Sequence, residues 1–244
     1  MDNIVFGRNA VMELLKGERD IDKLLVLKNS ERTGDLISLA KKKRVIIQQV
    51  EKQRLDELTE KGNHQGVAAF VSEIKYAEVS EILELARSKN EPPFVLILDE
   101  ITDPHNLGAI MRTACSGGCH GIIIPKRRSC PVNGTAAKVA AGAAEHLPVA
   151  RVSNLASTID ALKKEGLWIA GADMHGDRDY FDADLTGAIG IVMGSEGEGI
   201  SRLIKEKCDF LVKIPMPGPT ESLNVSVAAG VITYEAVRQR IQKK

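Results

Sequence analysis

The sequence predicts an α/β protein in two parts, a small N-terminal α/β unit followed by a larger domain built on a parallel β-sheet. Three observations carry that prediction. From Phe94 onward, short and wholly apolar runs alternate with helical patterns. Strands buried on both faces read as continuous apolar runs, and parallel strands are joined by helices. Residues 1–72 show the same alternation on a smaller scale, and a polar stretch ending in Pro92 and Pro93 separates the two. At 244 residues the chain has room for two domains.

In the first unit, residues 9–16 place Val11, Leu14 and Leu15 at helical spacing. Residues 22–28 and 44–50 read as strands with a helix over 35–43 between them, and 66–71 is a third apolar run. A unit of this size, about 70 residues, is within the range that folds alone. Residues 73–92 read as a linker: a short helix fits 79–86, but the two prolines favour extended chain. The larger domain then covers 93–244. Its apolar runs are 94–98, 121–124, 167–172, 188–193 and 210–214, with a weaker sixth at 148–152. Helices are expected over 106–117, 134–145, 154–165, 199–207 and 223–241. Ligands of such sheets bind beyond the carboxyl ends of the strands, and the unusual residues fall there.

Composition narrows the function classes. Hydrophobic residues make up 43% and charged residues 27%, an ordinary globular balance. Lys+Arg and Asp+Glu are both 33, so any contact with nucleic acid must come from local basic patches or from shape. Cys115, Cys119, Cys130 and Cys208 lack the pairing that a tetrahedral metal site needs and read as buried small residues, so no metal is expected. The N-terminus has no basic and apolar leader pattern, and no apolar run approaches the roughly 20 residues of a membrane span. A cytoplasmic location without a membrane partner is the expectation.

Three segments carry candidate chemistry. In the first, a strand runs through Asp103, Pro104 and His105 into a helix starting near Asn106, with Arg112 further along. Taken alone it reads as a helix cap followed by a surface arginine, and His105 as a turn residue. In the second, Met193 to Ser201, three glycines and two acids follow an apolar strand. The glycines expose backbone N–H groups, but Glu196 and Glu198 would repel a phosphate, and the phosphate-loop lysine is missing. A cationic or hydroxyl-bearing ligand suits this loop better. In the third, Pro215, Pro217, Gly218 and Pro219 force an extended loop, and Ser222 and Asn224 flank Leu223 at the mouth of the last helix.

Together, Asn106-x-Gly108-x-x-x-Arg112, Gly194-Ser-Glu196-x-x-Gly199 and Ile214-Pro-Met followed by Ser222-Leu-Asn-Val-Ser226 resemble, in order and spacing, the three motifs of the SpoU/TrmH ribose 2′-O-methyltransferases. Phe6-Gly-Arg-Asn-Ala10 and His64-Gln-Gly66 are similar to the L30e-like substrate-binding domain of that family's 23S rRNA (guanosine-2′-O-) methyltransferase branch, so the resemblance spans the chain. It implies a SPOUT fold with a deep trefoil knot, S-adenosylmethionine as cofactor, and a homodimer whose active site is completed across the interface. General topology rules would have rejected a knot.

The resemblance also assigns residues. Asn106, Arg112, Glu196, Ser222 and Asn224 become the catalytic set, and Gly194, Ile214, Leu223, Ala172 and Met193 the cofactor contacts, largely through backbone. Arg112 is expected to polarise the 2′-hydroxyl or hold a phosphate rather than to accept a proton, because a guanidinium keeps its proton to about pH 12 and above. Lys126, Arg127, Arg128 and Ser129, with Asn133 nearby, are candidate contacts for 23S ribosomal RNA; a second basic cluster, Lys41 to Arg44, reads equally as a solvated face. A tRNA substrate, or a non-catalytic RNA-binding or ribosome-assembly role, are the alternatives. The L30e-like unit argues against the first, and the intact motif residues against the second.

Overall fold

The computed structural model describes residues 3–30 and 33–243. The chain divides into two units, Met1–Lys75 and Tyr76–Lys244. The first contains β1 (Ile4–Phe6), α1 (Arg8–Lys16), β2 (Ile21–Leu27), α2 (Gly34–Lys42), β3 (Ile47–Val50), α3 (Lys52–Leu58) and β4 (Val67–Val71). Its sheet has the order β1-β4-β2-β3, with β2 and β3 parallel and the other pairs antiparallel. Side chains alternate across a strand, so Leu24 and Val26 of β2 meet Val11, Leu15 and Leu36 on one face. Leu25 meets Leu55 on the other. The expected strand over 44–50 begins only at Ile47, because Arg44 turns the chain with φ +56°.

The linker expected over 73–92 is corrected. It contains α4 (Val79–Ser88), which opens the second unit. Val79, Ile82, Leu83 and Ala86 recur at helical spacing, and a capping box between Glu78 and Glu81 closes the N-terminus. Ile82 and Leu83 are buried with Val95, Ile97 and Ile123 in the core. The helix stops at Ser88, the chain turns at Asn90 (φ +54°), and Pro92 and Pro93 lead directly into β5 rather than mark a free tether.

The rest of the unit alternates strand and helix: β5 (Phe94–Leu98), α5 (Pro104–Ser116), β6 (Gly121–Pro125), α6 (Gly134–Ala140), α7 (Ala143–His146), β7 (Val149–Val152), α8 (Leu155–Lys164), β8 (Trp168–Ala172), β9 (Arg178–Asp179), β10 (Ile189–Met193), α9 (Arg202–Lys205), β11 (Phe210–Lys213) and α10 (Val225–Gln242). The seven strands are parallel throughout, in the order β7-β6-β5-β10-β8-β11-β9. The chain builds outward from β5 to β7, crosses to β8, and later returns to insert β10 between β5 and β8. After β11, residues 214–224 lead back past β8 and β10, and α10 packs on α5. The helix expected over 134–145 is broken by Ala141 (φ +49°) and Gly142 (φ +85°) into α6 and α7. No helix among the described residues is long and apolar enough to cross a membrane.

Candidate active site

The sheet register assembles the site. Leu98, Met193, Ala172 and Val212 lie in one row across β5, β10, β8 and β11. The chain therefore leaves all four strands at one edge, carrying Asp99, Gly194, Asp173 and Ile214 with it. Adjacent strands are about 4.8 Å apart, so the loops after β10, β8 and β11 share a space roughly 10 Å wide.

Three polar side chains from the three motifs meet there. Asn106, in the first turn of α5, is buried at 7% exposure, and its Oδ1 accepts from Asn224 Nδ2 at 2.9 Å. The same nitrogen donates to Glu196 Oε1 at 2.5 Å, and Val225 N–H donates to that oxygen at 3.4 Å. Asn224 Oδ1 caps α10, accepting from Ser226 N–H at 2.9 Å and Val227 N–H at 3.4 Å. Asn224 thus fastens the start of α5 and the glycine loop to the end of the extended proline segment. The sequence names all three residues but shows nothing of their contact.

The other expected residues take no part in these hydrogen bonds. The Arg112 side chain is exposed and, among the described residues, makes no hydrogen bond or ion pair. Ser222 is exposed, and Leu223 is 36% exposed. Met193 is buried, with its carbonyl accepting from Asp99 N–H at 2.8 Å. Ala172 ends β8 and Ile214 follows β11 directly. Gly194 has a more local reason to be glycine than approach to a cofactor. Ser195 and Gly199 exchange two backbone hydrogen bonds of 3.0 Å, folding the loop so tightly that a Cβ on residue 194 would lie 2.0 Å from the Gly199 carbonyl carbon. Gly108 likewise serves packing, since a Cβ there would lie 2.5 Å from the Ala136 carbonyl oxygen on α6.

Two buried carboxylates flank the glycine loop, one from each strand neighbouring β10. Asp99 Oδ2 accepts from Ser201 N–H at 2.8 Å. Asp173 pairs with Lys205 Nζ at 2.6 Å and accepts from His175 N–H at 2.9 Å. Burial alone would raise the Asp173 pKa, but the bonds from Lys205 and His175 together outweigh it and hold the carboxyl below its ordinary value. Neither aspartate side chain is among the expected site residues, although the backbone from Ala172 to His175 is a further cofactor contact that the resemblance suggests; the signal for both is an acid placed directly after an apolar strand.

The basic candidates extend the same edge. Arg127 is exposed. Arg128 is 80% exposed at its side chain and pairs with Glu100 at 3.1 Å. Lys126 follows β6, and its backbone N–H donates to the Val152 carbonyl. Ser129 Oγ donates to its neighbour's carbonyl, and Asn133 is committed to capping α6. In the first unit, Lys41 and Lys42 close α2, and Lys43 Nζ donates to the Gly17 carbonyl. Burial pushes the Cys119 and Cys208 thiols up to about 12, which leaves them inert. Among the described residues no group of three or more potential ligands gathers for a metal.

The chemistry of the edge suits a cationic cofactor. Residues 194–201 contain two glutamates and neither lysine nor arginine, and Asp99 and Asp173 flank them. Comparison with known proteins agrees. Residues 4–77 match the family described as RNA 2′-O ribose methyltransferase substrate binding. The chain is 49% identical over 238 residues, covering 97% of it and 95% of the relative, to "Putative TrmH family tRNA/rRNA methyltransferase YacO" of Bacillus subtilis. A relative of the same family name from Staphylococcus haemolyticus is 44% identical over 243 residues, covering 99% of this chain and 97% of its own. The SpoU methyltransferase AviRb from Streptomyces viridochromogenes, solved in complex with AdoMet, superposes with a TM-score of 0.64 at 28% identity over 98% of this chain and 90% of its own. The TrmH/SpoU tRNA modifying enzyme of A. aeolicus has a TM-score of 0.57 at 28% identity, over 67% of this chain and 84% of its own. With residues 93–234 matching the SpoU rRNA Methylase family, the chain belongs to that family and is an S-adenosylmethionine-dependent RNA ribose methyltransferase of SPOUT fold.

Proposed function

We propose that this enzyme methylates the ribose 2′-hydroxyl of a guanosine in 23S rRNA, acting in the cytoplasm as a homodimer. The observation that carries the choice of RNA is the first unit. It matches a substrate-binding family over residues 4–77, whereas the tRNA modifying enzyme of A. aeolicus matches only 67% of this chain. A tRNA substrate is the second reading, favoured by the relatives' joint tRNA/rRNA naming.

In this reading S-adenosylmethionine, held by Gly194, Ile214, Leu223, Ala172 and Met193, supplies a methyl group already activated on a positive sulfur. The protein's own task is alignment and electrostatics. Asn224 and Asn106 hold the glycine loop and the start of α5 in register, with Ser222 beside them toward the ribose. Arg112 polarises the 2′-hydroxyl or clamps the adjacent phosphate, since its guanidinium does not give up a proton near neutral pH. The proton then passes to Glu196, to that phosphate or to water. Lys126, Arg127, Arg128 and Ser129 extend the RNA path along the same edge.

The homodimer reading rests on two features. Arg112 lies on an exposed stripe of α5, away from the cluster. Val227, Tyr234 and Ile241, at 51%, 51% and 68% exposure, form an apolar stripe on α10 at spacings of seven. A second copy covering that stripe hides apolar surface that a lone chain leaves wet.

Transfer of labelled methyl from S-adenosylmethionine to unmodified 23S rRNA and to tRNA, followed by mapping of the product, tests the proposal. A 2′-O-methylguanosine in 23S rRNA is the expected product. Transfer to tRNA alone overturns the rRNA assignment.

A further inference from the structure

Phe6 ends the edge strand β1 and remains 39% exposed. A single exposed apolar side chain is ordinary on a protein surface; the surroundings of this one are not. Its ring lies against the backbone of Gly62, where a Cβ would fall 2.8 Å from Phe6 Cε2 and Cζ. Residue 62 has no room for a side chain under the ring, so one side of Phe6 is supported by main chain while the side chain stays accessible.

Amide residues stand close by in the chain, on the loop that carries Gly62 and at the start of α1. Gln65, exposed and held at φ +50°, accepts from Arg8 N–H at 2.9 Å and so ties residues 6–9 to residues 62–65. A Cβ on Gly7 would lie 3.5 Å from the Asn63 carbonyl oxygen, which fixes the same juxtaposition. Asn63, next to Gly62, and Asn9, three residues after Phe6, are both exposed. His64 braces the loop from below: its ring is buried, Nδ1 accepts from Gly66 N–H at 3.0 Å, and Nε2 lies 3.0 Å from Asp56 Oδ1. The exposed Lys61 adds a cation on the same loop, while the Arg8 guanidinium is paired with Asp35 at 2.6 Å.

An accessible aromatic ring with exposed amides near it in the chain is the chemistry that takes an unpaired base. The ring stacks on any base, and amides exchange hydrogen bonds with base edges freed from pairing. We propose that Phe6 is a stacking platform for one unpaired nucleotide of the RNA substrate, with Asn9, Asn63 and Gln65 reading its edge. The proposal rests on the RNA methyltransferase reading and places part of substrate recognition in the first unit.

Full-length Phe6→Leu and Phe6→Trp test it by fluorescence anisotropy against a labelled 23S rRNA fragment containing a single-stranded loop, with calorimetry of S-adenosylmethionine alongside. Leucine keeps the apolar contact and removes the aromatic face, so RNA affinity should fall about 5- to 150-fold, the equivalent of one lost stack. The RNA KM should rise to match, with kcat and cofactor affinity unchanged. Tryptophan changes the shape at least as much but retains the face, so affinity should stay near that of wild type. Binding by Phe6→Leu equal to wild type overturns the platform and leaves the methyltransferase reading intact. Equal losses in both variants also overturn it, because the ring face would then not be what matters. If the wild-type protein methylates no RNA at all, the enzymatic reading fails and the platform with it.

Discussion

Replacing Asn224 is the sharpest test of whether the three motif loops are held as one. Alanine removes the cap of α10, worth about 1 kcal/mol within a range of roughly 0.5–2. It also strips the partner from Asn106 Oδ1 on a residue only 7% exposed, at about 1–3 kcal/mol for a buried acceptor left unsatisfied. Glu196 is exposed and takes water in place of Asn224, so nothing further is added. The sum, about 2–4 kcal/mol, corresponds to a fall of roughly 4–16 °C in unfolding temperature for a domain of this size. Asn224→Ser separates the two effects, because serine still caps the helix but is too short to reach Asn106 and Glu196 together. It should lose only about 1–3 kcal/mol, and in an Asn106→Ala background that remaining loss should largely vanish as coupling. Urea denaturation of the four proteins gives the cycle, and methyl transfer reads the function. Turnover should fall at least about tenfold in the serine variant. Wild-type stability and turnover in Asn224→Ser would refute the idea that this side chain organises the site.

Two other perturbations probe different links. Gly194→Ala drives a methyl group to within 2.0 Å of the Gly199 backbone, a clash of two main-chain segments that no rotamer relieves. The loop must open at a cost of about 1–3 kcal/mol or more, and calorimetry should show S-adenosylmethionine binding weakened at least tenfold; unchanged affinity would detach this loop from the cofactor. His120 is fully buried, accepts from Phe94 N–H at Nδ1 and lies 3.2 Å from Glu91 at Nε2. Burial, with Lys89 nearby, holds its pKa below the ordinary 6.5 despite Glu91. A depressed histidine favours the fold fully above its unfolded value, and that contribution is lost as pH falls through the folded one. Urea midpoints should therefore drop between pH 8 and pH 5.5 more in wild type than in His120→Leu, and identical drops would discard the assignment.

The strands of the larger sheet were legible because each is a short, fully apolar run, and Phe94–Leu98 coincides with its expected bounds. Strand order was not legible. Inserting β10 between β5 and β8 is a long-range choice that leaves no local periodicity. Elements with little burial of their own were missed: β1 has three residues, β9 has two, and α3 buries only Leu55. The segment taken for a linker shows the opposite failure, where two prolines outweighed the apolar stripe of α4. At the site, residue types and order pointed to Asn106, Glu196 and Asn224, while their contact required the register of four strands. Glycine at 194 has a reason that no local pattern reveals, the close approach of the Gly199 backbone within its own loop.

Arg112 poses the remaining geometric problem. It lies six residues beyond Asn106 on α5, which turns it about 240° around the helix and moves it about 9 Å along the axis. The two side chains therefore leave α5 in different directions, and the Arg112 side chain makes no hydrogen bond or ion pair among the described residues that would bend it back. In the proposed homodimer the difficulty would disappear if Arg112 of one copy served the Asn106–Glu196–Asn224 cluster of the other. Being exposed, Arg112→Ala should abolish methyl transfer while leaving stability and cofactor affinity near wild type. Asn224→Ala should also be inactive, for a different reason. Unfolding and refolding the two inactive variants together in equal amounts produces heterodimers as about half of all dimers. If each site draws on both copies, one site of every heterodimer carries both substitutions and the other carries neither, so about a quarter of wild-type activity should return. If each chain builds its whole site alone, every site in the mixture holds one defect and no activity returns, which would sink the shared-site arrangement.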